Sequence, residues 1–516
     1  MLAKLPAALA TALLLAAPTA AQQVGGVELM ELTIAEAQAA MLDGTVTARQ
    51  LVDAYLARIE AYDRKGPSLN AIIMVNPEAR ARADALDAEL ARTGRLSGPL
   101  HGIPVIVKDN YDTGDMPTSG GSASLAESRP ADDADQVRRI REAGAIVLAK
   151  SNLAEFAFTA METVGSRIPG WTFNPYALNR VTAGSSGGTA AAVAANMGLV
   201  GLGTDTGNSI RGPSGHNALV GIRSTMGLTS RDGIMPLYAH RDIGGPMTRT
   251  VEDAVRIFDV IAGTDPKDPV TAEGDARRPA SYMDALDLDI RGVRIGVAGQ
   301  IAYDDTADPE ILARFDEALT DLEALGAVVV RDFEIPDLDS LTTGVWNCPR
   351  FRYDIENYLA DIPDAPHTTL ESIRESGDVH VTVMPGVERF LRFEGTPETH
   401  EGCVEGTRAE ERLRAGVRAA MAEHDVVALV YPTWNNPPRL VGDLDTPHGN
   451  NSPTLSPPTG FPSITVPMGF VWNGTLPAGL QIYGDAWSEA ALIRIAYAYE
   501  QATKHRKPPP TTPPLR

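Results

Sequence analysis

The sequence predicts an α/β fold in which a largely parallel or mixed β-sheet is covered by helices. Two stretches repeat the same order of elements, a helix, a glycine and an apolar strand: residues 136–148 around Gly144, and residues 310–330 around Gly326. A helix that ends at a glycine and leads directly into an apolar strand is typical of α/β proteins. No low-complexity linker divides the 516 residues, so we expect one large domain over residues 22–506.

The first 21 residues have the three parts of a secretory signal peptide. Lys4 supplies a positive charge, residues 5–17 form an apolar run too short to span a bilayer, and small residues at 19–21 form a cleavage site. The alternative, a buried N-terminal helix, would not explain all three parts. We therefore expect a signal peptide over residues 1–21 and a mature chain that begins near Gln22. The protein would be periplasmic or secreted, with no membrane insertion after cleavage.

Capping residues and hydrophobic spacing predict the first helices. Thr33 and Glu36 form a capping box, which begins a helix that runs through Met41. Further helices are predicted over residues 48–62 and 77–92. The first of these has its apolar residues on one face, and the second has the charge pattern of a surface helix.

Helices and strands also alternate in the C-terminal half of the chain. Thr250 caps a predicted helix that ends at residue 261, because a threonine at this position can accept a hydrogen bond from the first turn. Strands are predicted at residues 294–297, 426–430 and 464–467, and a last helix at 489–503. These elements extend the same sheet and its helical cover.

Two further segments lack a clear periodicity. Residues 336–411 mix charges, prolines and isolated aromatic residues, so we expect helices and loops that decorate the sheet. Cys348 and Cys403 both lie in this segment; they could pair in an oxidising compartment, but the sequence does not decide whether they do. Residues 507–516 are rich in proline and predict a disordered or extended tail.

The composition excludes some classes of function. The formal charge is −22, and binding to nucleic acid or to anionic lipid would require basic patches, so we expect neither as a partner. The nine histidines are scattered, without an H-E-x-x-H motif or a paired Cys/His cluster. We therefore expect no metal site.

Two serine-containing loops and one lysine are the candidates for chemistry. Residues 184–188 read Gly-Ser-Ser-Gly-Gly, residues 204–211 read Thr-Asp-Thr-Gly-Asn-Ser-Ile-Arg, and an Ala-rich segment of about one helix joins them. Upstream, the apolar residues 105–107 predict a buried strand that ends at Lys108. A serine is a weak nucleophile until a base takes its proton, and a lysine can be that base only when it is kept neutral. The combination predicts an amide-bond hydrolase.

Residues 184–188 taken alone also allow other interpretations. They fit the G-x-S-x-G nucleophile elbow with Ser186 as nucleophile, but residues 174–182 form a poor preceding strand. Nothing in the sequence marks His216 or His240 as the partner of such a serine. No Gly-Lys-Ser/Thr follows, which argues against a phosphate-binding loop. A glycine- and serine-rich cluster as short as residues 184–188 is more often a tight loop without a catalytic role. The second serine loop, at residues 204–211, argues against that interpretation.

The second loop suits an oxyanion hole. Small residues from Thr206 onwards precede Ser209, and successive N–H groups in such a loop can converge on one oxygen. Arg211 lies close enough in the sequence to pair with Asp205 and to brace the loop.

Together these motifs resemble those of the amidase signature family. The resemblance implies a single α/β/α domain around a large twisted mixed sheet, and hydrolysis of a small-molecule amide to an acid and an amine or ammonia without a cofactor. The matching motifs cover most of the chain, at residues 99–110, 150–156, 184–195, 203–211, 227–231, 245–250, 461–467 and 476–481.

The resemblance also implies a role for each of three side chains. Lys108 would be the base, Ser185 the bridging serine that follows a cis peptide bond, and Ser209 the nucleophile that forms an acyl-enzyme intermediate. A base that acts through one hydroxyl on another is a variant of the triad logic of serine hydrolases.

The oxyanion hole implied by the resemblance consists of the backbone of Thr206, Gly207, Asn208 and Ser209, with Gly184 beside the substrate. The family usually has a second glycine where this chain has Asn208. Asparagine tolerates a positive φ better than most residues. We therefore expect Asn208 to adopt a positive φ and to keep the N–H groups aimed at the oxyanion.

The sequence does not name the substrate. An esterase or carbamate hydrolase could use the same three residues, and a secreted binding protein with a degenerate site is the alternative from another class. An amidotransferase component that works in the cytosol does not fit an exported chain. We expect the acyl pocket to involve residues 161–171, residues 336–411 and the loop of Trp434. The oligomeric state is open, with a homodimer among the options.

Overall fold

An eleven-stranded β-sheet forms the centre of the protein. The computed structural model describes residues 22–168, 170–443, 445–449 and 452–516, so the predicted signal peptide over residues 1–21 lies outside the described residues. In chain order, the strands of this sheet are β1 (Ile72–Val75), β2 (Pro104–Lys108), β3 (Ile146–Ser151), β4 (Val200–Asp205), β5 (Val220–Arg223), β6 (Ile243–Thr248), β7 (Arg294–Val297), β8 (Val328–Val330), β9 (Ala428–Pro432), β10 (Ser463–Val471) and β11 (Leu476–Tyr483).

The sheet is mixed, as the sequence predicts. The strand order is β8-β7-β9-β11-β10-β5-β6-β4-β2-β3-β1. The strands β8, β7 and β9 are parallel to one another, and so are β4, β2 and β3, whereas the other neighbours are antiparallel. The two helix–glycine–strand repeats lead into β3 and β8, so each contributes to one of the two parallel parts. All residues of β2, β3 and β4 are buried, which requires cover on both faces.

Helices flank the sheet, and several of them begin at the predicted caps. The capping box of Thr33 and Glu36 is present, and Thr250 accepts a hydrogen bond from the backbone of Asp253. The helices are α1 (Ile34–Leu42), α2 (Ala48–Ile59), α3 (Ala79–Thr93), α4 (Asp135–Glu142), α5 (Gly187–Ala194), α6 (Arg211–His216), α7 (Val251–Ile261), α8 (Gly274–Arg277), α9 (Gly299–Ala302), α10 (Pro309–Ala324), α11 (Leu338–Thr342), α12 (Phe351–Ala360), α13 (Leu370–Ser376), α14 (Met384–Phe390), α15 (Glu401–Glu423), α16 (Ser456–Thr459) and α17 (Glu489–Thr503).

Among the described residues, no helix is both long and apolar enough to cross a membrane.

In the described part of the chain, three pairs of short antiparallel strands lie outside the large sheet. They are formed by Gln23–Val24 with Val27–Glu28, Val164–Gly165 with Gly170–Trp171, and Phe173–Asn174 with Ala177–Val181.

The connection between the two serine loops differs from the sequence interpretation. Instead of one helix, it contains the helix α5 and then the buried strand β4. Strand β4 pairs in parallel with β2, with Leu202 opposite Val107. Because the carboxyl ends of parallel neighbours lie at the same sheet edge, the end of β4 and Lys108 at the end of β2 meet.

The segment 336–411 folds as helices and loops, in agreement with its prediction. It contains α11 to α14 and the first half of α15. Cys348 and Cys403 form a disulfide bond, which ties the loop before α12 to the first turn of α15. The sequence left this pairing open.

The C-terminal tail over residues 507–516 is packed on the domain in an extended conformation, which is one of the two forms that the sequence predicts. The buried guanidinium of Arg58 donates hydrogen bonds to the carbonyl oxygens of Thr512 at 2.8 Å and Pro513 at 3.1 Å. Thr511 Oγ1 donates to the carbonyl oxygen of Pro175 at 2.6 Å. A proline-rich segment has few N–H groups of its own, but its carbonyl oxygens satisfy a buried arginine here.

Candidate active site

Lys108 is the fully buried last residue of β2. Its Nζ atom lies 2.8 Å from Ser185 Oγ and 2.7 Å from Thr204 Oγ1. Asn110 Nδ2 donates a hydrogen bond to the same threonine oxygen at 3.1 Å. The structure therefore brings together two of the predicted site residues, Lys108 and Ser185, and adds Thr204 and Asn110, which the sequence interpretation did not assign to the site.

Burial changes the charge of Lys108. Removal from water disfavours the ammonium form and lowers the pKa of the side chain to about 7, although the carboxylates of Asp242 and Asp205 oppose this shift. A substantial fraction of the lysine is therefore neutral near pH 7. Only the neutral amine has the lone pair that a general base needs.

Ser185 follows a cis peptide bond with Gly184. At Gly184, a Cβ atom would lie 2.6 Å from the carbonyl oxygen of Thr159 and even closer to that of Glu162, so only glycine fits. The carbonyl oxygen of Ser185 accepts a hydrogen bond from the backbone N–H of Ala154 at 3.0 Å. These contacts fix the backbone from which the Ser185 hydroxyl reaches Lys108.

Ser209 lies in the short loop between β4 and α6 and is 4% exposed. Asp205 at the end of β4 holds this loop from inside the fold. Its carboxylate accepts hydrogen bonds from Arg211 Nε at 3.0 Å and from the backbone N–H of Ile210 at 3.1 Å, and Arg223 forms a second ion pair with it at 3.2 Å. All three charged side chains are fully buried. The predicted bracing of the loop by Arg211 and Asp205 is thereby confirmed.

The backbone of the loop over residues 206–209 differs from the expectation at Asn208. Asn208 does not have a positive φ, so that expectation is wrong, and an asparagine at this position needs no special backbone tolerance. Its buried side chain lies instead against Gly212 in α6, where a Cβ atom would be 2.9 Å from Asn208 Nδ2. In the described part of the chain, the backbone N–H groups of Gly207 and Ser209 donate to no other residue.

The elbow interpretation of Ser186 has no support from its contacts. Ser186 Oγ lies 3.2 Å from the carbonyl oxygen of Thr204 and 3.3 Å from its N–H, so the hydroxyl holds the backbone of β4. His216 stacks on Trp434, and burial lowers the pKa of its imidazole to about 3. His240 Nε2 lies 2.7 Å from Glu410 Oε2. The structure therefore places both histidines in other contacts.

A cavity of about 920 Å³ opens next to the loop over residues 206–209, which carries Ser209 and is called the nucleophile loop below after its predicted role. It reaches Thr206, whose hydroxyl donates to the carboxylate of Asp242. Trp346 projects over the loop, with a ring carbon 3.8 Å from where a Cβ atom of Gly207 would lie. The lining residues are Phe158, Thr159, Glu162, Thr206, Leu237, Tyr238, Trp346, Cys348, Pro349, Thr382, Val383, Pro385, Gly386, Arg389 and Phe390.

The cavity agrees only partly with the expected acyl pocket. The segment 336–411 supplies most of its wall, and the segment 161–171 supplies Glu162. Trp434 is not among the lining residues, and its Nε1 donates a hydrogen bond to the carbonyl oxygen of Gly212 at 3.0 Å. Among the described residues, no group of three or more His, Cys, Asp and Glu side chains could hold a metal ion.

Most of the chain is similar in sequence to known amidases and amidotransferase subunits. The family model described as Amidase matches residues 50–493. A probable amidase of Arabidopsis thaliana is 32% identical over 505 residues, which are 93% of this chain and 92% of the relative. A glutamyl-tRNA(Gln) amidotransferase subunit of Halorhodospira halophila is 34% identical over 495 residues, which are 93% of this chain and 98% of the relative.

Solved structures of similar proteins share the whole fold. Native peptide amidase from Stenotrophomonas maltophilia superposes with a TM-score of 0.83 at 37% identity, over 93% of this chain and 98% of that one. An amidase family protein from Bacillus anthracis gives a TM-score of 0.83 at 30% identity, over 93% of both chains.

Proposed function

The chain belongs to the amidase signature family, and on this premise we propose that it hydrolyses a small carboxylic amide to an acid and an amine or ammonia. One observation carries the proposal: Lys108 Nζ, whose pKa burial lowers to about 7, lies 2.8 Å from Ser185 Oγ. A neutral lysine in contact with a serine is a base positioned to activate a hydroxyl.

In the proposed mechanism, a proton passes through two hydroxyls to the lysine. Ser185 donates its proton to neutral Lys108 while it takes the proton of Ser209, and Ser209 Oγ then attacks the amide carbonyl. The tetrahedral intermediate collapses to an acyl-enzyme when the same relay returns the proton to the departing amine. Water, activated through the relay, then releases the acid.

The nucleophile loop would stabilise the negative charge that develops on the carbonyl oxygen. Backbone N–H groups of the loop from Thr206 to Ser209 are the proposed donors, and those of Gly207 and Ser209 are not used by other described residues. The ion pairs of Asp205 with Arg211 and Arg223 hold the loop in place before a substrate arrives. Preorganised donors of this kind are worth about 10²–10³-fold in kcat each.

We further propose that the protein is exported and loses residues 1–21. The disulfide bond between Cys348 and Cys403 supports this proposal, because such bonds persist mainly in oxidising compartments. N-terminal sequencing of protein exported by its native host should begin near Gln22. An exported protein that retains residues 1–21 would contradict the proposal.

Hydrolysis of matched primary amides and methyl esters by the purified mature chain tests the proposed reaction. We expect ammonia release from aliphatic or aromatic amides that depends on Ser209. An enzyme that hydrolyses the esters and leaves every matched amide intact would instead be an esterase. No turnover of either series would contradict the proposal as a whole.

A further inference from the structure

The cavity beside the nucleophile loop has an asymmetric distribution of charge. Among the described residues that line it, Glu162 is the one acid and Arg389 is the one base. Most of the other lining side chains are apolar or aromatic, such as those of Phe158, Trp346 and Phe390. A charged group in such surroundings interacts with a ligand more strongly than the same group in water.

Glu162 lies at the catalytic end of the cavity. Its carbonyl oxygen is in contact distance of the position that a Cβ atom of Gly184 would take, and Gly184 directly precedes Ser185. Thr206 of the nucleophile loop lines the same cavity. Glu162 therefore lines the same cavity as the loop that carries Ser209, and its backbone packs beside the peptide bond that leads into Ser185.

Arg389 is more exposed to solvent than Glu162. It lies in α14 and is exposed, with its guanidinium 4.5 Å from the centre of the Phe390 ring. An exposed charge is screened by water and salt. Arg389 therefore contributes less to selection than the half-buried carboxylate of Glu162.

The carboxylate of Glu162 is held in place but not neutralised. Trp171 Nε1 donates a hydrogen bond to Oε2 at 2.7 Å, which fixes the side chain. In the described part of the chain, no lysine or arginine forms an ion pair with it. A fixed carboxylate without a cationic partner, next to an apolar cavity, favours a ligand that brings the cation itself.

We propose that Glu162 binds a protonated amino group of the substrate, so that the preferred substrates are amides of amino acids with an apolar or aromatic side chain. The ammonium would pair with Glu162 near the scissile bond, and the apolar side chain would contact the cavity wall of Phe158, Trp346 and Phe390. The inference rests on the proposed amidase function and adds the class of its substrate.

Two amides that differ only in the amino group test this proposal. L-Phenylalaninamide and 3-phenylpropanamide have the same skeleton and the same leaving group, and ammonia release reports on both. At pH 7.0 the α-amino group is largely protonated, since its ordinary pKa is about 7.7–8.0. We expect the wild-type kcat/KM to be at least ~10-fold higher for L-phenylalaninamide, as for one partly desolvated charge pair.

The variant E162Q removes the charge while it keeps an acceptor for Trp171. We expect it to lower the ratio of the two kcat/KM values about 10-fold, through the loss of L-phenylalaninamide turnover. Glu388 in α14 is half exposed and lies 3.8 Å from Arg374 Nη1, so E388Q is a matched control that should leave the ratio unchanged. An unchanged ratio in E162Q, or an equal loss for both amides, would overturn the inference.

A measurement on the wild-type enzyme covers the case in which E162Q does not fold. Phenethylamine and 2-phenylethanol should both inhibit hydrolysis of 3-phenylpropanamide, and we expect the cationic amine to bind about 10-fold more tightly, as for the same charge pair. Equal inhibition constants would overturn the inference but leave the amidase function intact. A wild-type enzyme that hydrolyses neither amide would overturn the inference together with the proposed function.

Discussion

At the scale of single residues, the proposed chemistry depends on the charge of Lys108. The side chain is fully buried at the end of β2, and burial is the largest influence on its pKa. The Thr204 hydroxyl at 2.7 Å and the Ser185 hydroxyl at 2.8 Å are its polar neighbours. In a neutral amine, one N–H bond can point to the Thr204 hydroxyl and the other to the Thr204 carbonyl oxygen, which lies 3.5 Å away. The lone pair of the nitrogen can then accept the proton of the Ser185 hydroxyl.

The pKa of Lys108 predicts the pH dependence of the reaction. The lysine is neutral above its pKa of about 7 and protonated below it, so kcat/KM for a neutral amide should rise with pH through this value and then level off. Initial rates from about pH 5.5 to about pH 9 on a substrate that does not titrate measure this. A rate that is flat between about pH 6 and about pH 8 would contradict the role of Lys108 as base.

The three predicted catalytic side chains should behave as one unit. We expect S209A, S185A and K108A each to lower kcat by at least ~10³-fold, and the double variants to be no worse than the single ones. Among the described residues, the Ser186 hydroxyl forms hydrogen bonds only with the backbone of Thr204, so S186A is the matched control and should lose less than ~10-fold. Inactive S186A together with active S209A would show that the elbow interpretation is correct.

The sequence predicted the contacts of single residues correctly where those residues stand in a recognisable motif. Lys108, Ser185 and the Asp205–Arg211 pair stand in short motifs with fixed spacing, and the structure brings each pair into contact. Glu162 has no such motif, because its position depends on how its loop packs against Gly184. The positive φ expected at Asn208 was inferred from the glycine that the family usually has at this position, and the actual loop does not require it.

At the scale of elements, the close approach of α5 to β4 explains why β4 is hard to recognise. Residues 200–205 include two glycines and have little β propensity. In the structure, a Cβ atom at Gly201 would lie 2.5 Å from Thr189 Cγ2, and one at Gly203 would lie 3.0 Å from Ser186 Oγ. The glycines let the helix that follows the first serine loop pack directly on the strand that leads into the second.

The buried ion pairs of Asp205 make the nucleophile loop sensitive to one substitution. D205N would leave Arg211 and Arg223 buried without a carboxylate. Removal of one partner of a buried ion pair lowers the free energy of unfolding by about 3–5 kcal/mol. We expect a lower free energy of unfolding in urea and loss of amidase activity in the folded fraction.

The surface variant D53N is the control for D205N. Asp53 pairs with Arg49 and Arg80 while 45% of its side chain is exposed, so its loss should change the free energy of unfolding by less than about 1 kcal/mol. Equal stability of D205N and D53N would show that the Asp205 ion pairs do not hold the loop.

At the scale of the whole molecule, the two helix–glycine–strand repeats and the predicted strand at residues 294–297 indicated an α/β class with a largely parallel or mixed sheet. Those repeats lead into β3 and β8, which lie near opposite edges of the sheet. The order of the strands between them could not be predicted, because antiparallel neighbours such as β5 and β10 are far apart in the sequence. Such pairing depends on tertiary packing rather than on local periodicity.

The C-terminal tail belongs to the folded domain and should contribute to its stability. Deletion of residues 507–516 would remove the carbonyl oxygens of Thr512 and Pro513 from the buried Arg58 guanidinium. Unsatisfied charged donors cost about 1–3 kcal/mol each, so we expect the Tm to fall by at least ~3 °C. Deletion of Arg516 alone is the control and should not change the Tm. An unchanged Tm after the longer deletion would favour a disordered tail, the other form that the sequence predicts.

Covalent labelling tests the central claim most directly, since a fluorophosphonate reacts only with a serine that its surroundings have activated. The purified mature chain is treated with the reagent, digested and mapped by mass spectrometry. We expect one label per chain, on Ser209, with a labelling rate that rises with pH through about 7 and that falls at least ~10³-fold in K108A and S185A. A label on Ser186, or no label on an enzyme that still hydrolyses amides, would contradict the assignment of Ser209 as the nucleophile.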